Sequence, residues 1–108
     1  MPLRPVEFHI LLALAGEERH GYAILQELAA LTDGELVLEP GTLYRALHRM
    51  LRDGWVAESP RRPAPDLDDE RRRYYRITPA GRRVASAEAA RLQRLLTVAR
   101  AHKLLTHG

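Results

Sequence analysis

The chain has 108 residues, a length that suits one domain with a modest core. Apolar residues make up 45% and charged residues 29%, the balance of a globular protein, and no apolar run approaches the roughly 18 residues that would cross a membrane. There is no cysteine, which excludes disulfides, thiol catalysis and thiolate metal sites.

The N-terminus lacks the charged-then-apolar layout of a secretion signal, so a cytoplasmic location is the expectation. Net charge is only +3, but it is unevenly spread. Residues 1–44 carry two Arg against seven acids, and residues 45–76 carry nine Arg against six. Residues 77–108 carry six basic residues against Glu88 alone. Positive charge therefore begins near residue 45 and continues onward, which suits a polyanion on one side of the molecule. Sixteen of the seventeen basic residues are Arg, whose planar fork makes bidentate phosphate and base contacts that Lys cannot make.

Met1 to Arg4 is expected to be loose. Pro5 suits the first turn of a helix running to about Ala15. Phe8, Leu11, Leu12 and Ala15 fall at i, i+3, i+4 and i+7 and predict its buried face. Gly16 to Arg19 reads as a polar turn. A second helix is predicted from about Gly21 to Leu31, with Ile24, Leu28 and Leu31 as its stripe. Tyr22 and Leu25 sit at its margin, and Asp33-Gly34 is its stop. Glu35 to Leu38 reads as a brief extended piece.

Glu39 to Gly54 predicts a third helix with two unlike faces. Leu43, Leu47, Met50 and Leu51 form one apolar stripe. Thr42, Arg45, Arg49 and Arg52 cluster opposite, with Tyr44 and His48 on the flank. Pro40 suits the start and Gly54 the end. Arg can fork onto guanine or grip phosphate, Thr can meet a methyl or a phosphate, and Tyr can donate to a phosphate oxygen. A solvated basic surface helix has the same pattern, so this stretch alone leaves both readings open.

After Gly54 the period changes. Trp55 to Ser59 is strand-like, and Arg72 to Ile77 is a second strand rich in β-formers. Tyr75 and Ile77 are placed inward, with Arg72, Tyr74 and Arg76 outward. Residues 60–70 hold three Pro and many charges and read as the tip of a long hairpin. Thr78 then caps a last helix with Pro79 at its first position, running to about Leu104. Gly81 is expected to weaken its start. Leu92, Leu95, Leu96 and Ala99 make a stripe that Ala85 and Ala89 extend. So long a helix carries more apolar surface than one small core covers, and a homodimer seam accounts for it.

Three helices followed by a two-stranded hairpin is the order of a winged helix-turn-helix. Three motifs make the likeness specific. Leu12-Ala13-Leu14 with His20-Gly21-Tyr22-Ala23-Ile24 resembles the opening of the PadR family of bacterial transcriptional regulators. Gly41-Thr42-Leu43-Tyr44, Leu47, and Leu51 to Val56 resemble its recognition helix and first wing strand. Arg73 to Gly81 resembles its second wing strand and the junction to its dimer helix. The resemblance covers about residues 5 to 100 and marks a short subtype with one C-terminal helix.

It implies a mainly α fold with a small β-hairpin. Residues 1–78 would form the winged helix-turn-helix DNA-binding domain, with the wing tip at about 60–70, and residues 79–108 the dimerisation helix. It implies a homodimeric repressor on a palindromic operator in double-stranded DNA. It places Thr42, Tyr44 and Arg45 at the groove-facing start of the third helix; the exposed face of that helix adds His48 and Arg49 as candidate DNA contacts, and the charge of the hairpin adds Arg61, Arg62 and Arg72. It also implies that the last helix packs against a partner, and the apolar stripe of that helix gives Ala85, Leu92, Leu95, Leu96 and Ala99 as the candidate dimer contacts. Some members of the family hold flat aromatic compounds between subunits through an aromatic residue of the last helix. Residues 79–108 contain no Trp, Tyr or Phe, so the sequence departs from the family at the residue that this binding uses, and any small-molecule effector is unknown.

Other readings compete with this one. No His pair at i, i+4 with a third ligand and no Gly-rich phosphate loop is present, so neither catalytic residues, a metal nor a cofactor is expected. The acids at 66–70 lack the spacing and the Gly turn of a calcium loop. A winged-helix module that serves only protein contacts is the remaining alternative. Such a module has no need of three Arg and a Thr on one exposed helix face.

Overall fold

The computed structural model describes residues 3–60 and 73–105. Arg61, Arg62 and Arg72, with most of the wing tip expected at 60–70, lie outside the described residues. The elements in chain order are α1 (Pro5–Gly16), β1 (Arg19–His20), α2 (Gly21–Leu31), α3 (Pro40–Arg52), β2 (Val56–Glu58), β3 (Tyr74–Ile77) and α4 (Pro79–Ala101). Helices dominate, and a small antiparallel sheet completes a winged helix-turn-helix. Among the described residues, no helix is long and apolar enough to cross a membrane.

The first helix sits at the centre of the domain. Ile10, Leu11, Ala13 and Leu14 are all buried, so α1 is covered on more than one side. Its expected stripe is corrected: Leu11 is buried and Phe8 half-buried, but Leu12 is 42% exposed. The run Ile10 to Ala15 is apolar without a break, and such a run does not fix its own phase. The start is not loose at Leu3, which is buried, or at Arg4, whose backbone N–H donates to Glu7 Oε1 at 3.1 Å.

The second helix has the expected bounds. Ile24 and Leu28 are buried, while Leu31 is exposed near its end. Tyr22, expected in the core or at its edge, is 60% exposed. Leu43, Ala46, Leu47 and Met50 of α3 complete the core, and Val56 and Tyr75 close it from the sheet.

The polar turn expected at Gly16 to Arg19 instead leads into a strand. β1 pairs antiparallel with β3, Arg19 opposite Tyr75 and His20 opposite Tyr74. β2 pairs with the other edge of β3, Val56 opposite Ile77. The order β1-β3-β2 makes the hairpin part of a three-stranded sheet. Tyr75 points inward as expected. Tyr74, expected outward, is half-buried because His20 packs its ring edge-on at 5.3 Å between centroids.

Thr78 caps α4, its hydroxyl accepting from the Gly81 N–H at 3.0 Å. The helix ends at Ala101, three residues before the expected Leu104, and Lys103 takes a positive φ of 63° beyond it. Its early turns pack on α1. Gly81 is the sole buried residue among the 23 of α4. The long dimension of the molecule is 55 Å against 28 and 21 Å for the other two.

Candidate nucleic-acid interface

A helix-turn-helix needs a tight stop after its first helix. Asp33 and Gly34 supply it with φ of 57° and 84°. Gly34 N–H reaches back to the Ala29 carbonyl at 2.7 Å. Thr32 works in both directions: its hydroxyl donates to the Leu28 carbonyl at 2.8 Å and accepts from Leu36 N–H at 2.9 Å. The turn is thus fixed by backbone and hydroxyl bonds, and α3 leaves it at a set angle. His20 caps the other end of α2, its Nδ1 accepting from Ala23 N–H at 3.1 Å.

The start of α3 lies close to the start of α2. The Tyr44 ring packs against the core and brings its hydroxyl against Gly21, where any Cβ would collide with it. Tyr22, Leu25, Pro40 and Tyr44 line an apolar cleft of about 240 Å³ between the two helices.

Residues 40–52 contain no acid, so the outward face of α3 is wholly basic or neutral. Arg45 and His48 are exposed and Thr42 is half-exposed. The Arg45 Nη2 donates to Thr42 Oγ1 at 3.3 Å, which folds the guanidinium back over the first turn. That turn also carries the unpaired backbone N–H groups and positive dipole end of the helix. Arg45 and Thr42 thus flank the helix start, whose N-cap residue is the exposed acid Glu39. Arg52 is exposed at the far end of the helix.

Arg49 differs from its neighbours. It is half-buried, and its Nε lies 3.8 Å from Oε2 of Glu7, a buried residue of α1. Sequence reasoning did not single out Glu7. The available signal was one acid in the first turn of a helix with no other acid, two residues after Pro5.

At the wing base, Arg73 pairs with Glu58 at 3.8 Å and Arg76 is exposed. Ser59, buried at the end of β2, donates to Glu18 Oε1 at 2.5 Å and ties the wing to the segment before β1.

The residues expected at the dimer seam divide into two groups. Ala85 is half-buried against its own core and lines a groove of about 230 Å³ with Leu12, Ala15, Ile77 and Ala89. Arg82 closes one side of that groove, donating to the Ala15 carbonyl at 3.2 Å. Further along α4, Leu92 and Ala99 are half-buried, Leu95 is 53% exposed and Leu96 is 43% exposed. Glu88 and Arg91 form a two-bond pair at 2.9 and 2.7 Å on the same helix. The hydrogen bonds from Arg91 hold the Glu88 carboxyl below its ordinary value.

Comparison with known proteins agrees with this geometry. The family model described as the transcriptional regulator PadR-like family matches residues 10–87. Transcriptional regulator Rv3488 of Mycobacterium tuberculosis is 40% identical over 90 residues, covering 83% of this chain and 78% of that one. A transcriptional regulator from Clostridium thermocellum superposes with a TM-score of 0.71 at 27% identity, covering 89% of this chain and 87% of that one. Bacillus subtilis PadR, solved in complex with operator DNA, shares the fold at 19% identity and a TM-score of 0.67, over 80% of this chain and 47% of that one. The match over most of the length, from the core of α1 to the first turns of α4, shows that the chain belongs to the PadR-like family of transcriptional regulators and is not an enzyme.

Proposed function

We propose that the protein binds duplex DNA as a homodimer and represses transcription from a two-fold related operator. The observation that carries this reading is the acid-free outward face of α3, with Arg45 and Thr42 at the helix start and His48 one turn on. The helix start favours phosphate, and in this reading Arg45 forks onto a base edge. The wing residues Arg61, Arg62 and Arg72 add charge for the flanking backbone or minor groove. That a PadR structure holds operator DNA on the same fold supports the reading. A module serving protein contacts alone has no use for this face.

Residues 1–78 form the DNA-binding unit in this reading, and residues 79–108 the dimer helix. Leu95 and Leu96, exposed along α4, supply the apolar surface that a second copy covers. Two recognition helices related by a dyad fit half-sites about 10 bp apart, one turn of the duplex.

Selection of binding sites from random duplex DNA, followed by footprinting, tests this reading. The expected result is a repeated half-site in inverted orientation, protected at a stoichiometry of two chains. Recovery of no preferred duplex, or of one unrepeated half-site bound by a single chain, would overturn it.

A further inference from the structure

Glu7 and Ser59 are the buried polar side chains of the described residues, and Glu7 alone of the two carries a charge. A carboxylate kept from water needs compensation, because burial strips its hydration. Its two oxygens find it in different elements. Oε1 accepts from the Arg4 N–H at the start of α1, where the helix dipole also favours negative charge. Oε2 faces the Arg49 Nε of α3 at 3.8 Å. That Nε is itself buried and makes no hydrogen bond among the described residues, and Glu7 is the charge it faces there. The separation is too long for a hydrogen bond and short enough for a strong charge contact.

The position of the pair gives it a consequence. Ala46, Leu47 and Met50 hold α3 against the core through apolar contacts, which have no direction of their own. The ion pair at the edge of that face ties one point on α3 to one point on α1, so rotation of α3 about its axis lengthens it and is resisted. A rotation of about 10° displaces a side-chain tip ~5–6 Å from a helix axis by about 1 Å. Base readout does not tolerate such a displacement, whereas a charge near phosphate does. Arg45 lies one turn before Arg49 on the same side of the helix.

We propose that Arg49 is a positioning residue: paired with Glu7, it sets the rotation of α3 so that Arg45 meets base edges, and it does not itself grip DNA. This rests on the reading of α3 as a DNA-recognition helix.

The test compares wild type with Glu7→Gln, Arg49→Met and the double variant. Each is titrated against the selected duplex and a scrambled duplex at several salt concentrations, below the unfolding temperature of each protein. The double variant leaves no lone buried charge, so it remains informative where Arg49→Met fails to fold. Glu7→Gln is expected to weaken binding to the selected duplex about tenfold or more, with scrambled binding and the salt slope unchanged. Arg49→Met should do the same, and the double variant should be no worse than either single change. The proposal is overturned if Arg49→Met weakens both duplexes alike and lowers the salt slope by about one while Glu7→Gln binds as wild type, since Arg49 is then a phosphate contact. It is also overturned if the folded double variant keeps wild-type discrimination, since the pair then serves stability alone. If wild type shows no salt-dependent binding to any duplex, the DNA-recognition reading itself fails, an outcome distinct from the other two.

Discussion

Gly81, in the first turn of α4, lies directly beneath the backbone carbonyl oxygen of Trp55. A Cβ at this position would overlap that oxygen and press on Ile77, so only glycine fits. The glycine that looked like a weak point in the helix is the point at which α4 is seated on the wing. Thr78 reinforces the seat from the preceding turn: its hydroxyl donates to the Gly54 carbonyl at 2.6 Å, and its N–H donates to the Trp55 carbonyl at 3.1 Å.

Gly81→Ala is therefore expected to destabilise, although alanine is the better helix former. The obstacle is backbone and cannot rotate away, so the cost is about 1–3 kcal/mol, the range for overpacking a tight site. Thermal unfolding measures it. An unchanged or raised midpoint would show that α4 shifts freely on its seat.

Arg45 and Arg72 are expected to differ in kind. Arg45→Ala should cost roughly 1–3 kcal/mol at the preferred site and relax preference at one or two base positions. Arg72→Ala should weaken all sequences alike and lower the salt slope by about one. Titrations on selected and scrambled duplexes separate the two. Equal losses on both duplexes for Arg45→Ala would make it a phosphate contact.

Leu95→Asp or Leu96→Asp is expected to split the dimer and weaken DNA binding with it. Both leucines are about half exposed in the single chain, so the change costs the isolated fold little. Each copy loses the cover of a leucine that was already half buried, and the two copies together lose about 1.5–3 kcal/mol, roughly ten- to hundredfold in association. Sedimentation reads the result. A variant that stays dimeric with normal DNA affinity would place the seam elsewhere on the molecule.

Glu88 should titrate below its ordinary 4.5, first because Arg91 hydrogen-bonds its carboxylate and then because of the Arg91 charge. A lowered carboxyl contributes stability above its ordinary value and loses it as pH falls through the lowered one. The pair is thus intact at neutral pH and breaks only in acid. Side-chain NMR of Glu88 follows the midpoint, and Arg91→Ala should return it to the ordinary range. A midpoint at or above 4.5 in the unaltered protein would mean that the pair does not form in solution.

Local chemistry made much of this fold legible in advance. Pro40, Thr78-Pro79 and Asp33-Gly34 are terminal signals that act within a few residues, and each marks a real boundary. The family likeness rested on the same short motifs. What was hidden depended on distant partners. β1 is two residues long and has no periodicity to detect; it exists because β3 offers a second edge. The buried face of α1 was unreadable because its stretch from Ile10 to Ala15 is apolar without a break. Arg45 and Arg49 look alike in the sequence, and only Glu7, brought close by the packing of α1 on α3, distinguishes them. Tyr22 was misplaced for the opposite reason: its aromatic ring suggested the interior, but the cleft beside Tyr44 leaves it open.

The middle place of β3 also sets an order of events during synthesis. β1 and β2 both pair with β3 and not with each other, so neither has a ladder until Tyr74 and Tyr75 have been made. About half the chain separates Arg19 from Tyr75, and closing so long a loop is a late step. A nascent chain that has reached only Pro60 carries three helices and two strands with no partner strand. Thr78 alone separates β3 from α4, so the growing chain completes its sheet and begins its last helix almost together.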